Sequence, residues 1–229
     1  LHDAVSALIM EVADSVVLPR FRTPTADQVS DKAADDLVTI ADTESEERLA
    51  EGLSAIFGDA RIIGEEACAA GPSLLDRAGE GLIWLIDPID GTNNFAAGRA
   101  PFGIMIALVE DGVIEAGWIF DPLTRRMCHA ERGCGAWIDG EPLVARSSGS
   151  ELPIAAIATY FLSEEQRADI AARAEGRLVV VDIPRCAAEQ YPRLALGQND
   201  VALFERSHPW DHAAGALLLN EAGGKLTRR

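Results

Sequence analysis

The sequence predicts a layered α and β fold (α/β, built as α+β layers) with two sheets, and three observations carry that reading. Residues 61–140 read as a meander of short strands joined by tight turns, residues 154–221 alternate strand with helix, and two amphipathic helices precede both. At 229 residues and 48% hydrophobic composition, the chain can bury the core of one large domain or of two tightly packed lobes.

Val5, Leu8, Ile9, Val12 and Val16 recur at spacings of three and four, the stripe of a helix over 4–18 that Pro19 stops. A second helix is expected over 43–57, where Leu49, Leu53 and Ile56 share a face and Gly58 supplies the stop. Between them "PTADQVSDKAADD" (24–36) reads as a polar loop. Strands follow at 61–63, 82–86, 102–109 and 113–120, the last two joined by "EDG" as a hairpin, and "GCGAWIDG" reads as another turn and strand. Ser147 to Ser150 form a link that separates an N-terminal α+β lobe (1–150) from a C-terminal α/β lobe (151–229). The second lobe reads as strand 154–158, helix 163–174, strand 178–181, helix 187–196, strand 201–204 and helix 212–221. The chain stops at "GGKLTRR", at what reads as the start of a strand, so either a short tail is missing or the last sheet is left incomplete.

Thirty-seven acidic against 20 basic residues give a formal charge of -17, which works against any general attraction to nucleic acid or anionic lipid. The longest apolar runs, 83–86 and 104–109, fall far short of the roughly 20 residues of a membrane span. The N-terminal segment carries Asp3 and Glu11 and lacks the basic start and cleavage site of a signal peptide, so a cytoplasmic location is expected. Cys68, Cys128, Cys134 and Cys186 form no C-x-x-C pair, which argues for free thiols rather than zinc or a disulfide framework.

Three stretches place carboxylates beside apolar segments: "IIGEEA" (62–67), "IDPIDGTNNF" (86–95) and "PWDHAAG" (209–215). A charge leaving the end of a buried strand is costly to desolvate without a positive partner, and neither of the first two stretches holds a Lys or Arg. Structural readings compete at each point. Asp87 could cap a helix with Pro88 at its first position and Asp90 on its dipole, although Gly91, Thr92, Asn93 and Asn94 would open that helix weakly. "GEE" could be a solvated loop, and Asp211 the N-cap of the last helix. Taken together, Glu65, Asp87, Asp90 and Asp211 offer hard oxygen ligands without His or Cys, a set suited to Mg²⁺ rather than zinc, while the N–H groups of Gly91 and Thr92 could receive an anion.

"GEE", "WLIDPIDGTNNF" and "WDHAAGALLLNEAGG", with "DDLVTIADTESEERL" before them, resemble in order and separation the signature segments of the inositol monophosphatase family of Mg²⁺-dependent, lithium-sensitive phosphomonoesterases. The resemblance covers nearly the whole chain. It implies an αβαβα sandwich of the type shared with fructose-1,6-bisphosphatase, one integrated catalytic unit, a homodimer, and two or three Mg²⁺ ions that Mn²⁺ can replace. Carried over by residue, Glu65, Asp87 and the carbonyl of Ile89 look like ligands of one metal, and Asp87, Asp90 and Asp211 of a second, leaving Glu65 and waters for a third. Thr92, bonded to Asp42, resembles the pair that activates the attacking water, so Glu65, Thr92 and Asp42 take the catalytic roles. Gly91 and Thr92 would hold phosphate, and Asn93, Ala188, Phe204, Glu205 and Asp211 would line the substrate side.

The implied reaction is hydrolysis of a small phosphomonoester, inositol 1-phosphate or a related polyol or sugar phosphate, by a metal-activated water without a covalent intermediate. Histidinol phosphate, fructose 1,6-bisphosphate and 3′-phosphoadenosine 5′-phosphate are the alternative substrates within the family. The family's ring-hydroxyl glutamate falls on Phe204, with Glu205 one place further, and the usual "GSAA" segment is shortened to "RCAA" (185–188). One residue along a strand reverses the side-chain direction, so Glu205 replaces that contact only through a bulge. A haloacid-dehalogenase-like phosphatase is a rival, but its D-x-D-G-T motif is one residue shorter than D-P-I-D-G-T. A non-catalytic regulatory binding protein on the same fold is the rival of another class, separated by turnover on a generic phosphomonoester. His208 and His212 read as flanking the last helix rather than as ligands, Trp84 and Trp210 as core anchors, and Arg185 as the partner of an acid rather than a grip on phosphate. Lys32, in a loop that helps cover the metals in the family, is expected to act electrostatically.

Overall fold

A computed structural model describes residues 1–21, 29–33, 36–160 and 162–227. The N-terminal stripe forms α1 (His2–Val12), which continues through a π turn at Ala13–Val17 into α2 (Leu18–Arg20). Pro19, expected to stop the helix, lies just beyond the π turn, and the helix ends one residue later at Arg20. The segment expected as a polar loop instead contains a hairpin, β1 (Val29–Ala33) with β2 (Asp36–Thr39). Its residues alternate too weakly to announce strands, and pairing with each other supplies what patterning does not. The remainder of that loop, 22–28 and 34–35, lies outside the described residues, as does the side chain of Lys32.

Helix α3 (Ile40–Ile56) begins three residues earlier than expected. Behind it come β3 (Arg61–Gly64), α4 (Glu65–Ala70), a 3₁₀ turn at Pro72–Arg77, β4 (Leu82–Asp90) and α5 (Thr92–Ala96). The meander is β5 (Gly103–Glu110), β6 (Val113–Asp121), β7 (Arg126–Glu131), β8 (Gly135–Ile138) and β9 (Glu141–Pro142). β7 and β9 escaped the sequence reading, since "RRMCHAE" mixes charge with apolar residues and an "EP" pair is too short to carry a pattern. These strands form one sheet of seven in the order β3-β4-β5-β6-β7-β8-β9, antiparallel except for the parallel β3–β4 pair.

Alternation along β4 sends Trp84 and Ile86 to one face and Ile83 and Leu85 to the other. The first face is covered by Val5, Ile9 and Val12 of α1 and by Leu49 and Leu53 of α3. The second is covered by α7 (Ala187–Ala195) and α8 (Pro209–Glu221), through Tyr191, Ala214, Leu217 and Leu218. α8 can lie close because Gly117 on β6 has no side chain: a Cβ there would stand 2.8 Å from the Cα of Ala214. Beyond α7 lies a second, parallel sheet in the order β11-β10-β12, made of β10 (Ile154–Ile157), β11 (Val179–Asp182) and β12 (Val201–Leu203), with α6 (Glu164–Ala174) against it. The layers are therefore αβαβα. Residues 224–227 form no strand, unlike the expectation for the end of the chain.

Candidate active site

The site is built where β4 ends. Asp87 pairs with Met105 and Asp90 with Gly103, so three residues of β4 advance against two of β5. A regular strand would send residues 87 and 90 to opposite faces, and this extra residue, beside Pro88, is what allows both carboxylates to serve one place. The capping reading of Asp87 fails, because Asp87 and Pro88 belong to the strand, and the N-cap of α5 is Gly91. Gly91 adopts φ +87°, a left-handed conformation that suits glycine, and its Cα packs so closely that a Cβ would meet the Pro101 carbonyl at 3.0 Å.

Asp87 is 2% exposed and its Oδ1 accepts no hydrogen bond. Burial pushes its pKa well above the usual carboxylate range, and the charges of Glu65, Asp90, Asp211 and Asp42 push it further. Four predicted residues thus act on Asp87, and the five come from four separate elements: Asp42 near the start of α3, Glu65 opening α4, Asp87 and Asp90 on β4, and Asp211 in the first turn of α8. Asp211 is not the N-cap of α8; His208 is, and Pro209 precedes Asp211 within the helix. Glu65 likewise opens a helix instead of sitting in a solvated loop. Among the described residues no three acidic, His or Cys side chains stand close enough to close around an ion, as like charges without a cation between them would not.

Asp90 is held differently. Its Oδ2 accepts the N–H of Ala188 at 2.6 Å, and the N–H groups of Ala187 and Gly91 also favour its ionised form, while burial raises its pKa overall. Ala188, expected on the substrate side, is buried and spends its N–H on Asp90. Thr92 donates its hydroxyl proton to the carbonyl of Ile89 at 3.0 Å and not to Asp42, the partner the resemblance implies. Asn93 is exposed beside it.

On the other side of the cluster, the half-buried Phe204 ring stacks on Tyr191 (5.4 Å between centroids, 21° between planes) and meets His212 edge-on. Glu205 is exposed. His212 is fully engaged: its Nδ1 accepts from the Tyr191 hydroxyl and its Nε2 donates to the Arg206 carbonyl, both at 2.9 Å, a neutral tautomer that burial favours by lowering the ring's pKa. Arg185 makes no ion pair among the described residues, contrary to expectation, and lies instead over the ring of Tyr160. Trp84 and Trp210 are buried as expected, and the four cysteines are free, with only Cys134 exposed.

One functional residue went unread. Glu46, 7% exposed on α3, accepts the N–H of Glu66 at 2.7 Å and of Ala67 at 2.8 Å, which fixes the start of α4 and with it Glu65. A Cβ at Gly64 would collide with the Glu46 carboxylate at 2.2 Å. Its signal was present in the sequence, since Asp42, Ser45, Glu46, Leu49 and Leu53 fall on one helical face, and polar residues on a buried stripe have a partner to find.

Comparison with known proteins agrees with this geometry. The family model described as the inositol monophosphatase family matches residues 3–229. The chain is 35% identical over 195 residues to the inositol-1-monophosphatase of Bacillus subtilis, covering 84% of this chain and 72% of that protein. It is 34% identical over 207 residues to a histidinol-phosphatase of Chlorobaculum parvum, covering 86% and 74% respectively. The solved structure of a Thermotoga maritima IMPase superposes with a TM-score of 0.81 at 27% identity, over 97% of this chain and 83% of that one. With the αβαβα layers and the acidic strand end already in place, the family match over nearly the whole length leaves one assignment: this chain belongs to the inositol monophosphatase family and is a phosphoric monoester hydrolase.

Proposed function

We propose that the chain hydrolyses a small polyol or sugar phosphate, inositol 1-phosphate or a related ester, with Mg²⁺ or Mn²⁺ bound at the end of β4. The observation that carries this reading is the buried Asp87 Oδ1, which accepts no hydrogen bond and faces four further carboxylates. A cation is the partner such a group lacks, and an all-oxygen donor set fits a hard divalent ion. Glu65, Asp87 and the Ile89 carbonyl would hold one ion, Asp87, Asp90 and Asp211 a second, and Glu65 with waters a third. Bound there, the ions would lower the pKa of water and neutralise charge developing on the phosphoryl group.

The chain's own groups supply the rest. Thr92 would present its N–H to the phosphate at the turn that the left-handed Gly91 forms, while the Gly91 N–H also serves the Asp90 carboxylate. Thr92, once its hydroxyl turns from the Ile89 carbonyl, and Asp42 would orient the attacking water and take its proton, Asp42 being a buried carboxylate able to hold one. Phe204 presents an aromatic wall where a polyol-selective site needs an acceptor, so preference among polyol and sugar phosphates that differ only in their hydroxyl groups should be broad. Homodimer formation, lithium inhibition and a cytoplasmic location complete the reading; no helix of the described residues is long and apolar enough to cross a membrane.

The test is phosphate release from inositol 1-phosphate, histidinol phosphate, fructose 1,6-bisphosphate and 3′-phosphoadenosine 5′-phosphate, each with Mg²⁺ and with excess chelator. Activity that survives the chelator sinks the metal role, and a strong preference for the nucleotide overturns the polyol and sugar assignment.

A further inference from the structure

Arg185 sits in a segment locked against the turn that ends β4. Pro184 accepts a hydrogen bond from Asn94 Nδ2 at 3.1 Å, Cys186 places its Sγ 3.7 Å from the Asp90 carbonyl, and Ala188 donates to the Asp90 carboxylate. The residues on either side of Arg185 therefore touch the phosphate-facing turn, while Arg185 itself is exposed. Its φ of +55° is left-handed, a conformation that a residue with a Cβ seldom holds and that recurs at functional positions. The guanidinium lies over the Tyr160 ring, 4.4 Å from its centroid. Stacking uses the flat face and leaves the N–H edges free to donate, and no carboxylate of the described residues lies within ion-pair distance of them.

In a chain of formal charge -17, the surroundings of Tyr160 hold as many cations as anions. Arg185 and Arg206 both act on the Tyr160 hydroxyl, opposed by Asp90 and Glu205. Two guanidinium groups thus stand within electrostatic reach of a tyrosine that also senses Asp90. Neither is needed by a neutral alcohol leaving group, and in the proposed reaction the phosphoryl is held at the metal site and the Thr92 N–H.

We infer that Arg185, held by its stack on Tyr160, binds a second anionic group on the leaving-group side of the ester, so that the preferred substrate is a phosphomonoester carrying a further phosphate or carboxylate. The inference deepens the phosphatase reading and rests on it. A guanidinium already fixed in plane loses little freedom on binding, and its paired N–H groups match the oxygens of either anion.

Matched esters test it. With Mg²⁺ present, kcat/KM is measured for fructose 1,6-bisphosphate against fructose 1-phosphate, and for 2-phosphoglycerate against glycerol 2-phosphate. Each pair differs in one anionic group, and the two pairs separate phosphate from carboxylate as the group recognised. The wild-type protein is expected to favour the more anionic member of at least one pair by about tenfold, the scale of one charge-assisted contact. Arg185→Gln should bring that ratio close to one, and Arg185→Lys, which keeps charge without the planar fork, should fall between. A general loss of structure would lower both members together and leave the ratio unmoved. A wild-type ratio near one in both pairs, or a ratio that Arg185→Gln leaves intact, overturns the inference while phosphatase activity stands. No phosphate release from any ester overturns the phosphatase reading and this inference with it.

Discussion

The carboxylate of Asp90 accepts the backbone N–H of Ala188 at 2.6 Å, across 98 residues of sequence. A residue at the end of β4 thereby satisfies an orphan donor in the first turn of α7, so one side chain serves the acidic cluster and the attachment of a helix from the other half of the chain. Asp90→Asn keeps an acceptor and loses the charge, whereas Asp90→Ala loses both. In chelator, Asp90→Asn should melt above Asp90→Ala, by the equivalent of about 1–2 kcal/mol for a lost cap-type bond. Both should lose turnover by orders of magnitude in Mg²⁺. Equal melting temperatures would show that Ala188 does not depend on this bond.

Glu46 supports Glu65 through the two N–H groups it accepts at the start of α4. Replacing it with Ala leaves two N–H groups at the start of α4 without their acceptor, which should cost about 1–3 kcal/mol in denaturant unfolding. Because the direction of Glu65 is then less fixed, the Mg²⁺ concentration for half-maximal activity should rise severalfold. Glu46→Gln, with one acceptor oxygen retained, should recover part of both effects. A Mg²⁺ requirement unchanged in Glu46→Ala would confine the residue to a structural role.

The contrast between Glu46 and Asp87 explains what was legible in the sequence. Asp87, Asp90, Glu65 and Asp211 stand out because each charge abuts an apolar run or turn residues, a local conflict visible without a fold. The layers were legible for the same reason, since the apolar run of β4 and the stripes of α1 and α3 are local patterns. What escaped depends on distant partners or on backbone detail: the extra residue between Asp87 and Asp90, the donors that meet Glu46, and the ring that meets Arg185. The β1–β2 hairpin escaped because its polar residues carry no period, and Asp211 was misplaced by three positions because Pro209 hides the true helix start.

The raised pKa values of Asp87 and Asp90 set a pH dependence with a definite sign. Between the unfolded value, near 3.9, and the raised folded value, the native protein binds more protons than the unfolded chain, so stability falls as pH rises through that window. Below the unfolded pKa the penalty is absent; above the folded pKa it is complete. In chelator, the melting temperature should therefore climb as pH is lowered from neutrality toward 5, the opposite of a paired carboxylate. Saturating Mg²⁺ should flatten the slope, since a cation stabilises the ionised forms, and Asp87→Asn should flatten it without metal. A chelator profile that rises toward neutral pH would contradict the crowding of these carboxylates.

Asp211 separates a metal ligand from a helix-end charge. Its place in the first turn of α8 makes a negative charge favourable to the helix dipole, by about 0.3–1 kcal/mol, and its nearness to Asp87 makes the same charge unfavourable. If the site is a metal site, the repulsion between Asp211 and the other carboxylates around the buried Asp87 exceeds that small helix contribution. Asp211→Asn should then melt above the wild-type protein in chelator. Adding Mg²⁺ reverses the order, because a ligand that binds only the folded state stabilises it by RT ln(1 + [L]/Kd), about 2.7 kcal/mol at a hundredfold excess over Kd. The substituted protein, short of one donor, should show a smaller shift at the same Mg²⁺ concentration. A purely helical role gives a different pattern: Asp211→Asn melts slightly lower in both conditions and its Mg²⁺ shift equals that of the wild type. Four melting curves, two proteins in chelator and in Mg²⁺, decide between them, and equal shifts would remove Asp211 from the metal site.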